Sequence, residues 1–201
     1  LACGSDSTTG DVQTIVSTSY NREFLDHHKN ITGGTIQAAL EIMRSNLDWF
    51  ADHRASMPGN SFLDVGHCEG SALYGMQERG FAVHGFDIIP ECCLGTHTTI
   101  APFFAASLFP QRYSAVMARE VIEHIDPWRQ FLNELYDVTA QGGFCQIQTP
   151  RPTAKPNPIG HQERHLQLFS PYLLRAECER RGFRVVDFRL WNEGQAWLLR
   201  K

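Results

Sequence analysis

The sequence predicts an α/β fold, a largely parallel sheet with helices on both faces, and three stretches carry that expectation. In the first, Phe62, Leu63 and Val65 form a short apolar run that breaks at Gly66, the pattern of a buried strand entering a turn. Gly70 then opens a run of helix formers from Ser71 to Arg79, Gly80 stops it, and a second apolar run from Phe81 ends on an acid, Asp87. Strand, glycine turn, helix, strand and terminal acid, with the acid about 20 residues past the turn, are the parts of a nucleoside-binding β-α-β unit. Glycines let the backbone approach a ligand, and a terminal carboxylate accepts hydrogen bonds from both hydroxyls of a ribose. In the second stretch, Tyr113 to Ala118 and Phe144 to Thr149 read as strands on either side of a helix marked by Phe131, Leu132, Leu135 and Val138. In the third, Ser170-Pro171 opens a helix, and Phe183 to Trp191 and Gln195 to Leu199 read as two last strands.

Composition narrows the function classes. The 201 residues suffice for one domain with a substantial core, and 42% hydrophobic with 20% charged residues is ordinary for a globular protein. A formal charge of −4 gives no general attraction to phosphate backbones, so nucleic acid is not the expected partner. No run approaches the roughly 18 apolar residues of a membrane span. The six cysteines lack C-x-x-C spacing and Cys92 adjoins Cys93, so reduced thiols in a cytoplasmic protein are expected.

Along the chain, Leu1 to Ser19 reads as a polar arm and Tyr20 to Asn30 as a short helix whose His27, His28 and Lys29 form a solvated end. Ile36, Leu40, Met43, Leu47 and Phe50 recur at helical steps, predicting a helix from Thr35 to Arg54 that Pro58-Gly59 terminates. Glu91 to Ile100 reads as a short irregular helix and Pro102 to Phe109 as a third strand. Pro127 suits the first turn of the following helix, with Asp126 as its cap. Arg151 to Gln167 holds three prolines, is too long for an idle connection, and reads as a lid over a substrate. Leu173, Leu174 and Cys178 face inward on the last helix. No repeat or linker is evident, so residues 1–201 are expected to form a single domain, with 1–19 an arm, 20–57 N-terminal helices and 151–169 the lid.

L-D-V-G-H-C-E-G, Leu63 to Gly70, resembles the first motif of class I S-adenosylmethionine-dependent methyltransferases, D-x-G-x-G-x-G, with Cys68 standing where the middle glycine is expected. The run R-E-V-I-E-H after the fourth strand and G-G-x-x-x-I-x-T-P ending at Pro150 are similar to the same family's fourth and fifth strands, and nicotinamide oxidoreductases, the rival reading of the glycine turn, do not carry them. The resemblance spans Ser61 to Pro150. It implies a Rossmann-like seven-stranded sheet of order 3-2-1-4-5-7-6 with the seventh strand antiparallel, and methyl transfer from S-adenosylmethionine to a small-molecule oxygen, nitrogen or carbon acceptor. In the implied site Asp64, Gly66, His67 and Gly70 lie at the methionine end. Asp87 takes the ribose, Ile88, Ala106 and Ser107 the adenine, and Ala118 and Arg119 line the cofactor. Arg151 and the lid select the acceptor.

Glu120, Glu123 and His124 stand at i, i+3 and i+4, so a helix there would set them on one face. Two carboxylates and an imidazole can hold a divalent ion, with His165 as fourth ligand and His161 as second choice. E-x-x-E-H with a downstream His is similar to two metal-dependent branches of the family, the small-RNA 3′-end 2′-O-methyltransferases and the ubiquinone-pathway O-methyltransferases. Without metal, His124 or His165 is the candidate general base. The bland reading, His124 capping a short helix and His165 packing under the lid, stands beside both. His84 reads as a core or edge residue, and Trp128, Trp191 and Trp197 as packing residues. The other function classes compatible with these residues are an RNA 3′-end methyltransferase, a nicotinamide oxidoreductase and a non-catalytic cofactor-binding module.

Overall fold

The computed structural model describes residues 36–92, 97–152 and 165–201. The polar arm, the helix expected at 20–30 and most of the lid, His161 included, lie outside the described residues. In chain order the elements are α1 (Ile36–His53), β1 (Ser61–Val65), α2 (Ser71–Glu78), β2 (Ala82–Asp87), β3 (Thr98–Ile100), β4 (Tyr113–Arg119), α3 (Trp128–Val138), β5 (Thr139–Pro150), α4 (Pro171–Arg180), β6 (Arg184–Leu190) and β7 (Gly194–Arg200).

The seven strands form one sheet in the order β3-β2-β1-β4-β5-β7-β6. Strands β1 to β5 run parallel, and β7 is antiparallel to both β5 and β6. Val65, Asp87, Ile100, Arg119 and Pro150 therefore end at a common edge, where open α/β sheets bind their ligands. Buried on both faces, β1 and β4 read as nearly continuous apolar runs, as parallel strands do.

Two apolar layers sandwich the sheet. Leu47 and Phe50 of α1 and Leu73 and Met76 of α2 pack with Phe62, Met117 and Leu198 on one face. Phe131, Leu132 and Leu135 of α3 and Leu174 and Cys178 of α4 pack with Leu63, Val116, Ile147 and Leu199 on the other. A Cβ on Gly75 would come within 2.6 Å of Leu40 and Leu47, so the missing side chain lets α1 settle against α2. The Trp49 indole donates to Asp187 Oδ2 at 2.7 Å, which ties α1 across the face to β6. Among the described residues no helix is long and apolar enough to cross a membrane.

Four local expectations are corrected. The third strand is Thr98–Ile100, not Pro102 to Phe109, and of the helix expected at 91–100 the described residues show a 3-10 turn at Pro90–Cys92 and that strand. The phenylalanines that suggested a strand are core plugs instead: Phe104 and Phe109 pack edge-on against Phe86, and Phe104 against Phe131. Helix α3 starts at Trp128 with Pro127 as its cap residue and no side-chain cap bond, so Asp126 does not cap it. On α4, Ser170 caps by accepting from Leu173 N as expected, but Leu173 itself faces outward.

Candidate active site

The glycine turn after β1 is stitched to β2 by backbone bonds. Gly66 N and His67 N both donate to Phe86 O, at 2.7 and 3.3 Å, and Gly70 N to His67 O at 2.8 Å. Gly66 and Gly70 take φ values of 78° and 81°, where a side chain is strained, and a Cβ on Gly66 would lie 2.7 Å from Val121 Cγ2. Cys68, at the departure from the glycine pattern, also adopts a left-handed φ of 51°. Its N–H donates to Asp87 Oδ2 at 2.9 Å, and Ile89 N donates to Oδ1 at 3.0 Å. The acid ending β2 is thereby fixed between the glycine loop and the turn that follows, with lone pairs left on both oxygens.

The side chains around this loop separate into two kinds. Asp64, fully buried, has its pKa raised to about 8 by burial, with Arg119 pulling it down and Asp87 and Glu69 pushing it up. His67 is packed under β2, where a Cβ on Gly85 would run into its ring, and its two ring nitrogens have no hydrogen-bond partner among the described residues. Burial holds its imidazole below the ordinary pKa against the pull of Asp87. Ile88 packs between the main core and the Ile89–Cys92 turn. Ala106 and Ser107 fall in a 3-10 turn: Ala106 is buried with its N–H donating to Glu134 Oε2 at 2.7 Å, and Ser107 is exposed. His84 is half-buried on β2, an inner strand, with its Nε2 lying 2.8 Å from Thr99 Oγ1 of the edge strand β3.

At the ends of β4 and β5 the site is built from side chains. Ala118 is buried and Arg119 half-buried, and Glu120 takes a left-handed φ of 54° that prevents a helix from starting there. Ile122–His124 forms a 3-10 turn, so the expectation of Glu120, Glu123 and His124 on one α-helical face is corrected. Glu120 instead accepts from Gln148 Nε2 at 2.9 Å, and Gln148 Oε1 accepts from Asn46 Nδ2 of α1 at 2.7 Å.

Three of the four expected metal residues meet: one ligand atom each from Glu123, His124 and His165 lie within 4.8 Å of one another. Glu120 is outside that set. Glu123 has 0% exposure; its Oε2 accepts from Thr149 Oγ1 at 2.9 Å, and its Oε1 stands 3.8 Å from His124 Nε2 with no hydrogen-bond donor among the described residues. Burial, reinforced by the nearby Glu120 carboxylate, raises the Glu123 pKa well above the usual range. The His124 and His165 rings meet edge to face with centroids 4.9 Å apart. Arg151, at the strand end beyond Thr149, is anchored by its N donating to Glu193 O and its Nε donating to Trp191 O. Trp128 and Trp197 pack in the core, whereas Trp191 is half-exposed at this rim.

Thr149, Gln148, Asn46 and Gln167 were not expected to belong here. Only Thr149 had a signal, its place before Pro150 in the fifth-strand motif. The others join through contacts made between distant elements.

A family model described as a methyltransferase domain matches residues 35–187. No curated protein matches the chain significantly. Among solved structures, an S-adenosylmethionine-dependent methyltransferase from Archaeoglobus fulgidus is similar at TM-score 0.70 and 19% identity, covering 90% of this chain and all of that one. Magnesium protoporphyrin IX methyltransferase from Synechocystis, with bound S-adenosylhomocysteine, is similar at TM-score 0.69 and 15% identity over 94% and 98% of the two chains. The 1,6-didemethyltoxoflavin-N1-methyltransferase of Burkholderia thailandensis gives 0.67 and 15% over 96% and 93%. At these identities the neighbours establish the fold, and the family model establishes kinship: the chain belongs to the methyltransferase-domain family.

Proposed function

We propose that the chain transfers a methyl group from S-adenosylmethionine to a small-molecule hydroxyl, amine or carbon nucleophile, with His124 and His165 handling the acceptor's proton. The observation that carries this reading is the pair of imidazoles set against a buried carboxyl at the carboxyl ends of β4 and β5. The cofactor's sulfonium supplies an already activated methyl group, so the protein's task is positioning and proton removal. The left-handed glycine loop suits close approach by the methionine portion, the free lone pairs of Asp87 suit the ribose hydroxyls, and Ile88 offers an apolar surface for adenine. Ala106 and Ser107 fit an adenine role less well, since one amide is occupied and the other side chain points to solvent. Arg119 and Asp64 would meet the methionine end, and Arg151 the acceptor.

Glu123 makes the imidazoles effective bases. Burial favours the protonated form of this carboxyl, but an imidazole that accepts the acceptor's proton becomes a cation 3.8 Å from Oε1, so the imidazolium and the Glu123 carboxylate favour each other's charged forms. A divalent ion bound by Glu123, His124 and His165 would favour the charged carboxylate in the same way, and this second reading is favoured by the convergence of their ligand atoms. Two imidazoles and one carboxylate suit a transition metal better than magnesium and leave a position open for the acceptor oxygen. A small-molecule acceptor in the cytoplasm is supported by the net charge of −4 and by the free thiols of Cys68, Cys92, Cys145 and Cys178.

Calorimetry with S-adenosylhomocysteine is the first test, followed by release of that product from S-adenosylmethionine across a panel of phenols, amines and activated carbon acids. Binding and turnover with one acceptor class are expected, and loss of turnover on chelation with recovery on adding metal selects the second reading. No heat with either cofactor form would sink the proposal.

A further inference from the structure

We infer that Gln167 is the positioning residue that holds His165 in the active site. This rests on the reading that Glu123, His124 and His165 act together. His165 belongs to no helix or strand: residues 165–169 are irregular backbone, so no ladder of main-chain bonds fixes the ring. The stretch is nonetheless patterned. Leu166 and Leu168 are exposed, Phe169 is buried against Trp128, and His165 and Gln167 are half-buried on the same side as Phe169. That alternation is the period of an extended chain, with His165, Gln167 and Phe169 facing inward.

The inward carboxamide reaches the turn that carries the other two members of the cluster. Gln167 Nε2 donates to Ile125 O at 2.7 Å and to Ile122 O at 3.4 Å, spanning both ends of the Glu123-His124 turn. An amide nitrogen has two hydrogens and can serve both carbonyls. Beside it, Leu166 N donates to Glu123 O at 2.9 Å. Farther along, Gln195 Nε2 donates to Phe169 O at 2.6 Å, which fixes the far end of the stretch. Phe169 anchors the chain in the core and the Leu166 amide adds one backbone bond. Gln167 is the side chain that locks the register, so that His165 rather than a neighbour falls beside His124. A short polar side chain or an aliphatic one at 167 would remove the two side-chain bonds that join this stretch to the Glu123-His124 turn and so loosen the register at His165.

The test is the nuclear Overhauser effect between the ring protons of His124 and His165 in the full chain, which the 4.9 Å centroid separation makes observable. Gln167→Met keeps the length of the side chain and removes both donors; Gln167→Glu keeps the shape and sets an acceptor-only carboxylate against two carbonyls. In either variant the cross-peak should vanish while affinity for S-adenosylhomocysteine stays within about twofold, because the cofactor loop is built from other elements. Leu168→Ala, on the outward side, should leave the cross-peak intact. A cross-peak that survives in both Gln167 variants overturns the inference while leaving the cluster reading in place. Its absence from the unmodified protein overturns the cluster and the inference with it.

Discussion

The two ends of the candidate site are made by different means. At the β1–β2 end the work is done by backbone: three left-handed residues, a stitched turn and one carboxylate that accepts from two main-chain amides. At the β4–β5 end it is done by side chains brought together from three separate stretches, Glu123 and His124 on a turn, Thr149 on a strand and His165 on irregular chain. A backbone cradle constrains few residue types and suits a ligand common to many enzymes. A side-chain cluster specifies chemistry and can change without disturbing the fold. Substitutions at the two ends should therefore separate cofactor affinity from turnover.

The largest effect is expected at the side-chain end. His165→Ala removes the proposed proton acceptor or metal ligand, and turnover of the panel acceptor should fall by roughly 10²- to 10⁴-fold. Affinity for S-adenosylhomocysteine should stay unchanged by calorimetry. A loss shared by affinity and turnover would mean that the two ends are one structural unit. Next comes the converse at the backbone end. Asp87→Ala leaves Cys68 N and Ile89 N without their acceptor and removes the proposed ribose partner, so cofactor affinity should drop roughly a hundredfold. Wild-type affinity in that variant would end the assignment of Asp87.

How far the sequence reached follows the same division. The β1-α2-β2 unit was legible because its signals are local: apolar runs, glycines at left-handed positions and an acid at a strand end all lie within Ser61 to Asp87. The strand order came with the resemblance to the family, and the sheet has it. The third strand was misplaced because Phe103, Phe104 and Phe109 look like strand residues, whereas the short edge strand Thr98–Ile100 is partly polar and carries no such mark. In E-V-I-E-H the residues were found but their geometry was not. Helical spacing was read into a segment that the left-handed Glu120 breaks, so Glu120 drops out of the converging set while His165 joins it. Gln167 and Gln148 were illegible, since a glutamine's role depends on which carbonyl or carboxylate tertiary folding puts within reach.

A smaller effect concerns Asp64, at the junction of the two ends. Its folded-state pKa of about 8 lies above the ordinary 3.8, so between these values the folded protein keeps a proton that the unfolded chain has lost. Stability from this group is present below about pH 4 and falls as pH rises toward 8. Asp64→Asn removes the titration. Denaturant melts at pH 5 and pH 8 should show the wild type losing about 3–4 kcal/mol more than the variant over that interval. Equal slopes would mean that Arg119 keeps Asp64 ionised throughout.

The smallest effect tests why a cysteine occupies a glycine position. Cys68 sits at φ 51°, where a Cβ costs about 1 kcal/mol relative to glycine. Its thiol partly recovers that cost by packing on the Ile89–Cys92 turn, and hydrogen bonding to Cys92 together with burial pushes the thiol pKa far upward, so it stays protonated and inert. Cys68→Gly exchanges side-chain packing for relief of strain, and at this chain length should move the melting temperature by only about 2–4 °C, upward if strain dominates. The N–H to Asp87 is a backbone group and survives the change, so cofactor affinity should hold. If affinity falls instead, the thiol's grip on the Cys92 turn is what keeps the loop shaped, and the cradle at this end depends on a side chain after all.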